Sequence, residues 1–286
     1  MDQSVDLLIK RVLGNDAFIL HPLVGGMMNK SFVVQTSNKK YVLYVSTEQA
    51  NEMVDRCLER DNQSIVYGLG ITSKNVYFDT ENGIKINEYI EGSSLDKAES
   101  YDVDKVAALL KKLHSSKELS KEDYRPFERF VGYENEALSF QKMDDMYALL
   151  RKQIFDNKDL LEGREMALCH NDAQKSNIVK DLDDNYFLID FEFMANNDPI
   201  YDIATFGNGL VEEGFELLLH YYENPSLLEK QVYYLWRIFV SLQWHNVAIV
   251  KHYRGEGKTH GFDFLKVAEF FLNNAKCAYN GLKELK

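Results

Sequence analysis

The sequence predicts an α+β chain in which a small β-rich lobe, residues 1–91, precedes a large and mainly helical lobe, residues 92–286. Three observations carry that expectation. Paired strand patterns fill the first third, apolar residues recur at helical spacing beyond residue 100, and the small residues of Glu91-Gly92-Ser93-Ser94 fall where one pattern gives way to the other.

Residues 31–36 and 41–46 are rich in β-branched and aromatic residues and flank Ser37-Asn38-Lys39-Lys40, the composition of a hairpin. A helix follows over 48–61, with Met53, Cys57 and Leu58 on its apolar side and Thr47 as N-cap. Strands recur at 75–79 and 84–90, and the segment 91–94 reads as a hinge because it interrupts both patterns. Val103, Val106, Leu109, Leu110 and Leu113 then define a helix over 102–114, and 134–155, 212–222, 227–251 and 262–283 read the same way. One pair of β segments, 177–179 and 186–189 around a turn-rich 181–185, interrupts the helices.

Composition narrows the function. The 45 Asp and Glu against 33 Lys and Arg leave a formal charge of −12, which argues against a nucleic-acid or anionic-membrane surface and suits a cationic small molecule. No apolar run approaches the roughly 20 residues of a spanning helix. The acidic start Met1-Asp2-Gln3-Ser4-Val5-Asp6 lacks an apolar signal core, so the chain reads as cytoplasmic without stable membrane insertion. Cys57, Cys169 and Cys277 are too widely spaced for a zinc or disulfide framework and read as buried thiols.

The densest chemical signal is His170-Asn171-Asp172, with Asn177 five residues on and Asp190 thirteen beyond that. In phosphoryl transfer an Asp accepts the proton of the attacking hydroxyl, while an Asn of the same loop and an Asp after a hairpin hold Mg²⁺ against the nucleotide phosphates. Each residue alone also has an ordinary reading, as a turn cap or a core histidine. Three matches at fixed spacing favour the chemistry.

On these residues, with Gln174 after Asp172 and with Leu188-Ile189-Asp190-Phe191-Glu192-Phe193, Asn197 and Tyr201-Asp202-Ile203-Ala204, the sequence resembles the choline/ethanolamine kinase family, in its bacterial choline-kinase type. That family shares its kinase-like fold with the aminoglycoside phosphotransferases. The resemblance, over about 20–250, implies a two-lobed protein-kinase-like fold using ATP and Mg²⁺, with Asp172 as catalytic base and Asn177 and Asp190 as metal ligands. Gly25-Gly26-Met27-Met28-Asn29-Lys30 looks like its phosphate-covering loop, although an ordinary hairpin turn fits too. Arg56 and Glu59 resemble its Arg-x-x-Glu helix, in which the Glu orients a basic side chain at the nucleotide. The pattern breaks at Tyr44, which stands where the family carries a phosphate-binding Lys or Arg, and Lys30 or Arg56 are the candidates to replace it.

The same resemblance implies a small-molecule amino alcohol, choline or ethanolamine, as acceptor, bound near Asp172, Gln174, Glu192, Phe193 and Trp244. A quaternary ammonium needs aromatic faces and a nearby carboxylate. Trp244 begins what looks like a Trp-x-x-Trp acceptor helix, but Val247 occupies the second position, and Phe193 stands where Tyr is common. Packing is the competing role for Trp244, and for Tyr233-Tyr234-Leu235-Trp236 packing is the preferred one. An aminoglycoside phosphotransferase, for which Glu212 and Glu213 offer acidic groups, and a weakly catalytic pseudokinase, motivated by Tyr44, are the alternatives. A homodimer is left open.

Overall fold

A computed structural model describes residues 3–23, 29–47, 50–51, 54–257 and 263–285. The chain divides into two compact units, residues 1–99 with 176–194, and 100–175 with 195–286. This differs from a single division at 91/92, because the hairpin that interrupts the helical part returns to the first unit.

In the first unit a five-stranded antiparallel sheet runs in the order β1 (Phe18–Leu23), β2 (Asn29–Gln35), β3 (Lys40–Ser46), β5 (Ile84–Glu88), β4 (Asn75–Asp79). Alternation gives the sheet two unlike faces. Val34, Leu43 and Ile86, with Phe32, Val45 and Ile84, pack under Ile9 of α1 (Gln3–Leu13) and Ala17 to form a small apolar core. The opposite face carries Ser31, Tyr44 and Lys85, which register places side by side. The expected helix over 48–61 differs in the structure: residues 48, 49, 52 and 53 lie outside the described residues, Thr47 Oγ1 accepts the Ala50 N–H at 3.2 Å, and α2 (Arg56–Gly68) starts afresh where Asp55 accepts the Leu58 N–H at 3.0 Å.

The expected hinge is instead a strand. Gly92–Ser94 forms β6 and pairs with β8 (Ile178–Asp181), which pairs with β9 (Tyr186–Leu188). Glycine is required because a Cβ at 92 would lie 2.1 Å from the Lys180 carbonyl oxygen.

The second unit joins a two-stranded ribbon, β7 (Ala167–Cys169) with β10 (Ala195–Asn197), to helices. These are α3 (Val103–His114), α4 (Pro126–Phe140), α5 (Asp145–Asp156), α6 (Lys158–Glu162), α7 (Pro199–Phe206), α8 (Val211–Tyr222), α9 (Leu227–Tyr253) and α10 (Phe264–Glu284). The single helix expected over 134–155 is two. Gln141 is extended, Asp144 caps the Tyr147 N–H at 2.7 Å, and α5 folds back so that Tyr147 and Arg151 both donate to the buried Glu134 carboxylate, at 2.8 and 2.7 Å. Helix α9 is the spine: a Ser226/Glu229 capping box starts it, and Trp236 and Phe239 pack with Phe127, Phe130 and Tyr201. Trp236 is thus a packing residue, its indole N–H satisfied by Asp198 at 2.8 Å.

Two stability predictions follow from local geometry. Gly92→Ala must part β6 from β8 and should cost about 1–3 kcal/mol, whereas Gly132→Ala, exposed in α4 with nothing within 4 Å of the new Cβ, should stabilise by about 0.5–1 kcal/mol. Denaturant midpoints that moved alike for both would refute the close approach at Gly92. The second concerns His245, whose Nδ1 lies 2.8 Å from the Ala268 carbonyl oxygen and whose burial holds its pKa below the usual value. The unfolded chain protonates this histidine at about pH 6.5 and so binds more protons, which makes stability fall as pH drops through that value. Between about pH 7.5 and about pH 5.5 the melting temperature should therefore fall further in the native protein than in His245→Gln.

Candidate active site

Within the first unit, the β8–β9 hairpin brings two expected metal ligands to one end. Asn177 closes a short 3₁₀ turn just before β8, Asp190 follows β9, and the Ile189 N–H donates to the Asn177 carbonyl oxygen at 3.0 Å. Asp181 shapes the far turn by accepting from the N–H groups of Asp183 and Asn185 at 2.9 and 2.7 Å. Asp190 is held at φ 68°, a left-handed backbone that non-glycine residues seldom adopt. Its Oδ1 is buried and accepts no hydrogen bond; the Lys85 ammonium stands 3.7 Å away. An under-satisfied carboxylate oxygen suits a divalent cation such as Mg²⁺, and an Asn side-chain oxygen is a ligand of the same hard type.

Helix α2 turns an unusual buried stripe toward this hairpin: Arg56, Glu59 and Asn62 recur at three-residue spacing. Asn62 anchors the helix by donating to the Met194 carbonyl oxygen at 2.7 Å. Glu59 accepts Lys85 on one carboxylate oxygen and Arg56 Nη1 on the other, the latter at 2.6 Å. Burial opposes ionisation of Glu59, yet these two cations hold its pKa below the ordinary carboxylate value. Arg56 is fully engaged. Its Nε donates to Asn51 at 3.1 Å, Nη2 to the Ser46 hydroxyl, and Nη1 also stands 3.7 Å from Glu192. Glu192 accepts from the Asn29 side-chain amide, and burial, then the charge of Asp190, raises its pKa to about 7.

The structure thus gathers Asn29, Arg56, Glu59, Asn177, Asp190 and Glu192 in one unit. It does not gather Lys30, an exposed residue that pairs with Val45 and therefore leaves the sheet on the opposite face from Tyr44. Gly25 and Gly26 lie outside the described residues. The residue that sequence reading missed is Lys85: it is buried opposite Tyr44 on β5, its ammonium 4.7 Å from the Tyr44 ring centre. The signal was strand register, which single positions do not carry.

In the second unit the loop bearing Asp172 is built around Asp202, at the start of α7. Its two carboxylate oxygens accept the backbone N–H groups of His170 and Asn171 at 2.8 and 2.6 Å, and His114 Nε2 lies 3.0 Å away. Asn171 takes a left-handed φ of 63° and is tied by its side chain to Cys169, Ala195 and Asn197. Asp172 follows it directly, and Gln174 Nε2 donates to its Oδ2 at 3.1 Å. Cys169 is buried as expected, with its thiol against the Asn197 carbonyl oxygen, while Cys57 and Cys277 are exposed, contrary to expectation, because each lies on the outer side of its helix. Trp244 is half-buried on α9 and stacks on Phe271 of α10 at 5.9 Å, so one ring face is already covered. Glu213 is ion-paired with Lys175 at 2.7 Å.

A five-stranded sheet with its partnered Glu-bearing helix, an Asn–Asp hairpin end and a helical unit presenting an Asp on a strained loop define a kinase-like fold. The family model of choline/ethanolamine kinase matches residues 20–218, and the chain belongs to that family. Protein LicA of Haemophilus influenzae is 28% identical over 216 residues, which span 71% of this chain and 62%, less than two thirds, of that protein. The crystal structure of choline kinase LicA from Streptococcus pneumoniae is similar with a TM-score of 0.74 at 25% identity, over 99% of this chain and 100% of that one. A choline/ethanolamine kinase family protein from Mesorhizobium loti matches in fold, with a TM-score of 0.80 at 16% identity over 99% and 98% of the two chains. Among the described residues no helix is long and apolar enough to cross a membrane.

Asp202→Asn leaves one oxygen to serve two buried N–H groups, and should lower stability by about 1–3 kcal/mol. A chemical-denaturation midpoint equal to that of the native protein would show that Asp202 does not hold the loop.

Proposed function

We propose that the protein transfers the γ-phosphoryl group of ATP, with Mg²⁺, to the hydroxyl of a small amino alcohol, choline or ethanolamine. The observation that carries this reading is the hairpin end, where the Ile189 N–H donates to the Asn177 carbonyl oxygen and the next residue, Asp190, has an Oδ1 short of a donor. Asn177 and Asp190 would hold Mg²⁺, which when bound supplies neutralisation of phosphate charge. Asp172 accepts the proton of the attacking hydroxyl, and Gln174 holds its carboxylate in one orientation. Asn29, at the start of β2, is anchored to Glu192 by its side-chain amide.

Phe193 and Trp244 are the aromatic faces assigned to the amine. With one Trp244 face covered by Phe271 and Val247 in place of a second Trp, the cage is partial, and both choline and ethanolamine fit the reading. The Glu213 charge is paired with Lys175 through Oε1, which leaves less acidic charge for a polycationic aminoglycoside and favours a compact acceptor. Such an enzyme works in the cytoplasm, where ATP is available.

An ADP-release assay with Mg·ATP against choline, ethanolamine and aminoglycosides tests the reading, with turnover expected for the amino alcohols. Turnover with aminoglycosides alone, or nucleotide binding without any ADP, would replace it with one of the alternatives. Asp172→Asn should lower turnover by at least about a hundredfold in a folded protein. The loss in Asp190→Ala should be partly eased by raised Mg²⁺, and that in Asp172→Asn should not. Identical metal titrations would contradict the separate roles.

A further inference from the structure

We propose that Lys85, on β5, supplies the phosphate-binding cation that β3 lacks at Tyr44. The inference deepens the proposed function and rests on its assignment of ATP to this unit. It starts from register. Tyr44 and Lys85 are direct partners across the β3–β5 ladder, and partnered residues leave the sheet on the same face with Cβ atoms about 4.5–5.5 Å apart. A long side chain from position 85 therefore reaches the space that a cation from position 44 would fill.

The surroundings of Lys85 match that task. Its ammonium bonds Glu59, the residue whose assigned role is to orient a basic group at the nucleotide, and stands 3.7 Å from Oδ1 of Asp190. The Tyr44 ring lies against the same ammonium, at 4.7 Å, so the aromatic residue at the β3 position packs beside the cation on β5. Glu59 is in turn fixed from its other oxygen by Arg56, which makes Glu59 and Arg56 positioning residues.

The other candidates fail on geometry. All three guanidinium nitrogens of Arg56 are bound to Asn51, Ser46 and Glu59, so reaching a phosphate would break a buried network. Lys30 leaves the sheet on the face that packs against α1. Lys85 alone stands within 3.7 Å of the Asp190 carboxylate among the described cations, in a group where Lys85 and Arg56 face the carboxylates of Glu59, Asp190 and Glu192.

The test measures nucleotide affinity directly, without acceptor, for ATP, ADP and adenosine in the presence of Mg²⁺. Lys85→Met should weaken ATP and ADP at least about tenfold and leave adenosine within about twofold, because only the phosphates meet the ammonium. Adding Tyr44→Arg to Lys85→Met should return most of the lost affinity by moving the cation back to β3. Lys39→Met, which removes an exposed charge paired with Glu88, is the control for net charge. Lys85→Gln, which keeps a donor toward Glu59, is measured in parallel, so that the ratio of ATP to adenosine affinity is read even if the methionine variant is unstable.

A purely structural lysine would lower the melting temperature while moving ATP and adenosine together, and that result overturns the proposal. So does ATP binding within about twofold of wild type in a folded variant. Wild-type protein that binds ATP alongside such a variant would refute the role of Lys85 alone. Wild-type protein that binds no nucleotide would refute the proposed function, and this inference with it.

Discussion

A charge can be buried in a protein only if its partners are buried with it, and that constraint organises both units. In the first, the polar face of the sheet takes in Lys85, Arg56, Glu59 and Glu192, so each must be oriented before the face can close. Glu59 makes this possible by spending one oxygen on each cation. The apolar face has no such requirement and closes by ordinary packing of Ile9 on Leu43 and Ile86. In the second unit the Asp202 carboxylate does for two backbone N–H groups what Glu59 does for two side chains.

Two of the five described non-glycine residues with positive φ lie beside these buried charges. Asn171 and Asp190 both sit in the left-handed region, and each adjoins a residue of the proposed chemistry or is one. Asn171 is kept there by its own side-chain bonds to Cys169, Ala195 and Asn197, which the neighbouring ribbon β7–β10 supplies. The ribbon is thus small in size but fixes the residue that precedes Asp172.

What was legible in the sequence was what repeats or is spaced locally. The strands β2 to β5, the helices α3, α8, α9 and α10, and the Asp172, Asn177 and Asp190 pattern all depend on neighbours within one segment. What was not legible depends on a distant partner. Gly92 looks like a hinge until Lys180 lies against it, 134–155 looks continuous until Glu134 calls Tyr147 back, and Asp202 shows no role until His170 and Asn171 donate to it. The family resemblance pointed to Tyr201-Asp202-Ile203-Ala204 as a segment without saying that its carboxylate holds the loop that carries Asp172.

Lys85 illustrates the same limit at the site itself. Read along the chain, Tyr44 is a missing cation and argues for lost activity. Across the ladder, position 44 and position 85 share one face and one neighbourhood, so a charge can pass from one strand to the next while its Glu59 partner stays in place. What the site then requires is a cation within reach of Glu59 and Asp190, not a particular residue number on β3. On that argument Tyr44 ceases to be evidence for a pseudokinase. The pair Tyr44 and Lys85 has to be judged together, because either residue read singly gives the wrong charge to the polar face of the sheet.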